Sequence, residues 1–360
     1  AILARVRGME RAGVRDEGKC VVKRKGQPTI NDVAHLSGVS KKTVSRVINR
    51  SPLLNEETRA KVEAVIAEIG YVPNPQARAL ALRRNFLIGL IHDNPNGQMV
   101  LGVQEGLLEA IRDSEYALVV RPVDRRSPSM VDDVRSFLEQ QRLAGVLLLP
   151  PISENDALAA MCREIGCNYV RMGSVVLDDA AHMVASNDRD AVADAVRHLI
   201  AAGHKRIGFI AGPPGFRSSQ ERQAGFEAAL EEAGITIPRA MLADGNYTFD
   251  SGRAAAERLL DASPRPTAIF ASNDEMAAGV LHAARQRELR VPDQLSIIGF
   301  DDTAIASHIW PPLTTVRWPI VSMARAAALK LIAPQAAAEE PSLFLSNLIR
   351  RASVSAPSAK

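Results

Sequence analysis

The sequence contains no apolar run approaching the roughly 18 residues that span a bilayer. Nor does its N-terminal stretch carry the continuous apolar segment of a secretory leader. Cysteine is scarce, and Cys20, Cys162 and Cys167 form an odd set in which no pair has the Cys-x-x-Cys zinc spacing. A disulfide framework is therefore not expected, and the chain reads as a protein of a reducing compartment, the bacterial cytoplasm. Catalytic signatures are missing too. There is no Gly-x-x-x-x-Gly-Lys-Ser/Thr phosphate loop, no Gly-x-Ser-x-Gly elbow and no His-Glu-x-x-His metal pair. The expectation is no enzyme, no cofactor and no metal. No leucine heptads follow Val354, which argues against a coiled-coil tetramer.

What is present fits two or three globular domains, because 360 residues suffice for more than one buried core. The net charge of +3 conceals an asymmetry. Up to Arg50 the chain carries Arg5, Arg7, Arg11, Arg15, Lys19, Lys23, Arg24, Lys25, Lys41, Lys42, Arg46 and Arg50 against only Glu10, Asp16, Glu17 and Asp32. A basic head on a near-neutral body points to nucleic acid at one end. Residues 1–26 are Arg-rich without periodicity and read as a disordered basic tail or an upstream extension.

Residues 29–49 read as two short helices around a tight turn. Thr29 and Asp32 have capping-box spacing, and Ile30, Val33 and Ala34 share one face. Ser37-Gly38-Val39 makes the turn, and Ser40 caps a second helix whose Val44, Val47 and Ile48 face inward. The outward face carries Lys41, Lys42, Ser45, Arg46 and Asn49. Lys42 and Arg46 repel each other on an isolated helix, an arrangement that makes sense against phosphates and guanine edges in a major groove. Asn55 caps a third helix, with Val62, Val65, Ile66 and Ile69 on one stripe and Gly70 at its end. Asn74 and Pro75 then open a short helix or linker.

From Phe86 the texture changes. FLIGLI, YALVV, AGVLLLP and NYVRM alternate with helical stretches, and the pattern restarts with RIGFIAG, AMLADG, TAIFAS and LSIIGF. Such alternation builds parallel sheets from β-α-β units, here in two lobes meeting near Asp188 and Trp318. Candidate ligand groups follow the strands: His92-Asp93-Asn94-Pro95-Asn96 with the free amides of the next helix, then Gln220 and Arg222. Asp244 to Tyr247, Asn273-Asp274 and Asp301-Asp302 complete the set. Amides, carboxylates, an arginine and an aromatic suit a polyhydroxylated ligand, with Tyr247 or Trp310 offering a ring face. His204 reads as a packing residue.

The segments TINDVAHLSGVSKKTVSRVIN and NEETRAKVEAVIAEIGYVPNPQARAL closely resemble the headpiece of the lactose-repressor/galactose-repressor family of bacterial transcription regulators. The resemblance continues to the C-terminus. It implies a helix-turn-helix headpiece (27–73), a hinge helix (74–85) and a sugar-binding-protein-like core whose chain crosses three times between lobes. Those lobes are 86–187 with 319–355, and 188–318. It further implies a homodimer on near-palindromic double-stranded operator DNA. Contacts would come from Thr29, Ser40, Lys41, Lys42, Thr43, Ser45, Arg46, Asn49, Asn74 and Ala77, with Leu80 as a minor-groove wedge. In the core it implies effector contacts from Asn94, Arg171, Gln220, Arg222, Tyr247, Asn273 and Asp301. Gln220 stands where several sugar-responsive relatives place an arginine, with Arg217 and Arg222 nearby. Arg171 falls where the lactose-responsive member has a carboxylate, which argues against a plain galactoside. The expected function is a repressor with a small-molecule effector, most simply a sugar. The alternatives are a purine or nucleoside, a protein co-effector, or a solute-binding protein.

Overall fold

The computed structural model describes residues 28–48, 51, 53–73, 85–94, 96–335, 337 and 340–358. The chain divides into two compact units, Ala1–Ala81 and Leu82–Lys360. The tail, the hinge segment and the expected contacts Asn49, Asn74, Ala77 and Leu80 lie outside the described residues.

Among the described residues, the first unit is a cluster of three helices: α1 (Ile30–Ser37), α2 (Lys41–Ile48) and α3 (Glu56–Ile69). The capping box forms as its spacing predicts, with Thr29 N–H and Oγ1 each 2.8 Å from Asp32 Oδ2. Gly38 closes α1 at φ 66°, the left-handed conformation that lets the chain turn sharply into α2. Ser40 Oγ accepts from Thr43 N–H at 3.1 Å, and Asn55 Oδ1 from Thr58 N–H at 2.7 Å. Val33, Ala34, Val44, Val47 and Val62 form the buried centre. Each valine removed from water there contributes about 1.5–3 kcal/mol.

The second unit contains two six-stranded sheets. The first has the order β11-β5-β4-β3-β1-β2, built from β1 (Leu87–His92), β2 (Ala117–Pro122), β3 (Gly145–Leu148), β4 (Asn168–Gly173), β5 (Met183–Ser186) and β11 (Leu343–Phe344). All its pairings are parallel. Its helices are α4 (Gly97–Ile111), α5 (Met130–Gln141), α6 (Asp156–Glu164) and α12 (Ile320–Ile332). A 3₁₀ turn covers Ile152–Glu154.

The second sheet has the order β12-β10-β9-β8-β6-β7. Its strands are β6 (Ile207–Ala211), β7 (Leu242–Asp244), β8 (Ala268–Ala271), β9 (Ser296–Asp301), β10 (Thr314–Arg317) and β12 (Asn347–Ile349). Around it lie α7 (Asp188–Ala201), α8 (Arg217–Glu232), α9 (Phe249–Leu260), α10 (Asp274–Gln286) and α11 (Ala304–His308). Strands such as β1, β3, β6 and β8 have buried interiors, which is why they read as continuous apolar runs.

One boundary needs correction. The first lobe was expected to keep 319–355, but β12 pairs antiparallel with β10 in the second sheet. Ser353 binds there as well, its Oγ donating to Ile297 O and accepting from Thr314 N–H. The chain therefore changes lobes a third time between Phe344 and Asn347, and its last segment covers what would otherwise be an open strand edge. His204 is structural, its ring nitrogens 2.9 Å from Thr267 Oγ1 and 2.8 Å from Ser355 O.

Candidate functional site

In the first unit α2 presents Lys41, Lys42 and Arg46 to solvent on the face opposite Val44 and Val47. Thr43 and Ser45 are partly covered, and the Thr43 hydroxyl lies 2.9 Å from Ser40 Oγ. The capped N-terminus of α2 and its exposed cations form a surface complementary to a phosphate backbone.

In the second unit a small cavity of about 40 Å³ lies between the lobes. From the first lobe it takes Asn94, Asn96, Met99, Pro150, Pro151 and Ser174. The second lobe adds Phe216, Ser218, Arg222, Tyr247, Asn273 and Asp301, and the lobe crossings bring in Asp188 and Trp318. Arg222 is the hub. Its Nε donates to Asp188 Oδ2 at 2.9 Å, one Nη donates to Ser272 O at 2.5 Å, and the guanidinium lies 3.6 Å from the Phe300 ring centroid. The other Nη stands 3.9 Å from Asp301 Oδ1.

Burial pushes the Asp301 carboxyl well above its ordinary value, and the positive charge of Arg222 only partly offsets this. Its Oδ1 has no hydrogen-bond partner among the described residues, and its backbone is held at φ 108°. Asn96 Nδ2 and Ser174 Oγ are likewise buried without partners. A donor, an acceptor and a hydroxyl thus stand unsatisfied around one cavity, a costly arrangement unless something else completes it.

The backbone is shaped for this site. Tyr247 sits at φ 59°, its hydroxyl 3.2 Å from Ser218 Oγ. Its ring covers Gly212, where any Cβ would come within 2.3 Å of it. Asn273 caps α10 through Met276 N–H and donates to Tyr247 O at 3.0 Å, so it fixes the tyrosine loop as well as lining the cavity. Behind Asp301, the Asp274 carboxylate accepts from Thr303 N–H and from the Thr303 and Thr315 hydroxyls at 2.7, 3.1 and 2.5 Å.

Several sequence expectations are corrected. Gln220 is exposed and does not line the cavity. With about 100° per residue, the positions of α8 that face inward together are Ser218 and Arg222, so the arginine of the cavity is Arg222. Arg171 is also absent from the lining, although buried. It donates to Ser153 O and Asp156 Oδ1, at 2.6 and 2.9 Å, and braces the surrounding loops. The amides after Asn96 are not free, because Asn96 Oδ1 accepts from Gln98 and Met99 N–H. Trp310 is 76% exposed, and the tryptophan at the cavity is Trp318. Asn94, Arg222, Tyr247, Asn273 and Asp301 do line it. Asp188, Phe216 and Ser218 escaped the sequence reading as ligand groups. Asp188 carried a usable signal, since a residue where the chain changes lobes must border the cleft.

The family model described as bacterial regulatory proteins, lacI family, matches residues 29–74, and a periplasmic binding protein-like domain matches 196–354. The probable HTH-type transcriptional repressor ExuR of Bacillus subtilis (strain 168) is 34% identical over 310 residues, covering 84% of this chain and 90% of that protein. The chain belongs to the LacI family. Its fold agrees with the lac repressor dimer bound to operator and anti-inducer, at TM-score 0.78 and 28% identity over 92% of this chain and all of that one. It agrees also with the transcriptional regulator CelR in complex with cellobiose, at TM-score 0.67 and 32% identity, covering 91% and 99%. This LacI-family protein is a DNA-binding transcriptional regulator rather than an enzyme. Among the described residues, no helix is long and apolar enough to cross a membrane.

Proposed function

We propose that this regulator is a cytoplasmic homodimeric repressor of a near-palindromic operator, controlled by a carbohydrate bound between its lobes. Lys41, Lys42 and Arg46 are the base-reading and phosphate-contacting residues. Thr29, Ser40, Thr43, Ser45 and Asn49 fix the headpiece on the backbone, and Asn74, Ala77 and Leu80 belong to a hinge that enters the minor groove. The observation that carries the ligand reading is the cavity between the lobes. There the unpartnered Asp301 Oδ1, Asn96 Nδ2 and Ser174 Oγ surround an apolar wall of Phe216, Tyr247 and Trp318. Sugar hydroxyls pair with both donors and acceptors while the ring face stacks on aromatic side chains, and the relative CelR is seen with cellobiose. Ligand would change the angle between lobes and so the spacing of the two hinges.

A thermal-shift screen against mono- and disaccharides, nucleosides and sugar phosphates tests this. A ligand at a hundred times its dissociation constant adds about 2.7 kcal/mol. Stabilisation by a sugar is expected. Stabilisation by nucleosides alone would replace the ligand class. In a parallel binding assay, Leu80→Ala should weaken specific binding and keep the salt-driven non-specific part; equal loss of both would remove the wedge role.

A further inference from the structure

At the rim of the cavity the lobes also touch through Glu154, Arg125 and Arg217, which do not line it, and through Phe216, which does. Glu154 ends the 3₁₀ turn of the first lobe, and its carboxylate oxygens accept from the backbone N–H of Arg217 at 3.2 and 3.1 Å. Arg217 opens α8 in the second lobe, and the N-cap residue Phe216 offers no side-chain acceptor of its own. The first turn of α8 is thus capped from the opposite lobe, where a negative charge also suits the helix dipole. Beside it, the Arg125 guanidinium lies 4.5 Å from the centroid of the Phe216 ring. Arg125 is itself fixed by Asp93 at 3.1 Å. Loops following β1, β2 and β3 therefore grip two consecutive residues, Phe216 and Arg217.

We propose that Glu154 and Arg125 form a latch that holds the two lobes closed over the cavity in the absence of ligand. Entry to the cavity then requires the latch to part. Burial pushes the Glu154 carboxyl above its ordinary value, against the Arg217 amide and the charges of Arg217 on α8 and Arg171 on β4. Closure therefore carries a desolvation cost, which keeps the latch reversible. The inference concerns access to the site and does not depend on which ligand occupies it.

The test uses the full chain without ligand. Of the two tryptophans, Trp310 is 76% exposed, while Trp318 is 5% exposed and lines the cavity. In a Trp310→Phe background, acrylamide quenching reports whether the cleft is open at Trp318. Glu154→Ala with Arg125→Ala should raise the quenching constant by about two-fold or more as the open population grows. Glu154→Gln should fall between, and Glu154→Lys, which sets a positive charge against the same helix end, should open the cleft further. Unchanged quenching in the paired variant overturns the latch. So does faster amide exchange at Arg217 with Trp318 still protected, since that is fraying of α8 alone. Circular dichroism confirms folding, and Arg125→Ala alone answers the question should the paired variant unfold.

Discussion

Arg222 is held between two carboxylates at 2.9 and 3.9 Å with its guanidinium on an aromatic face, so its charge is nowhere solvated. Removing it leaves Asp188 buried and unpaired. Arg222→Ala should cost about 3–5 kcal/mol of stability, whereas Gln220→Ala should fall within about 0.5 kcal/mol of the parent. Urea denaturation of the two variants separates the positions. Equal effects would refute the assignment of the cavity arginine. Asp274 gives a pH test. Burial raises its carboxyl to about 7, partly opposed by the Thr315 and Thr303 donors. A folded value above the unfolded one means that the folded state holds the extra proton between about pH 4 and 7. The contribution of Asp274 is therefore complete below that window and is lost as pH rises through it, by up to about 1.4 kcal/mol per pH unit. Asp274→Asn should flatten this slope in urea melts between pH 5 and 8, and an unaltered slope would place the titration elsewhere. At this scale the sequence showed which residue types meet at strand ends. It did not show which way α8 turns, so Gln220 was read as a contact alongside Arg222, and of the two only Arg222 lines the cavity.

At the scale of elements, what was legible followed the strength of the local signal. The helices of the headpiece could be read from Thr29, Ser40 and Asn55 because caps are local chemistry, and all three accept the expected amide bonds. Strands β5 and β10 were not read, since MVAS and TTVR are four residues each and carry no long apolar run. Both end at lobe crossings, where tertiary pairing decides the conformation. β12 was assigned to the wrong lobe for a related reason. Its antiparallel partner is more than thirty residues away, and nothing local encodes that pairing. Two predictions belong here. Thr29→Ala should lower headpiece stability by about 1 kcal/mol, read from thermal melts, through loss of the cap. Arg46→Ala should relax base preference at one position per half-site, worth about 1–3 kcal/mol of discrimination. An unchanged preference in a binding-site selection would remove Arg46 from the reading face.

For the whole molecule, a basic reading helix and a ligand cavity occupy one chain, and each makes physical sense only if it communicates with the other. The three lobe crossings are stitched together. Trp318 Nε1 donates to Ser186 Oγ at 2.8 Å, Ser186 Oγ to Asp188 Oδ1 at 2.6 Å, and Ser346 N–H to Asn187 Oδ1 at 2.7 Å. Asp188 in turn holds Arg222 in the cavity. The measurement that tests the account most directly is a linkage cycle at fixed salt: operator affinity with and without the sugar found by the stability screen, and sugar affinity with and without operator. The account predicts that the sugar changes operator affinity by roughly 5–150-fold and that operator changes sugar affinity by the same factor. A sugar that stabilises the protein yet leaves operator affinity unchanged would contradict it.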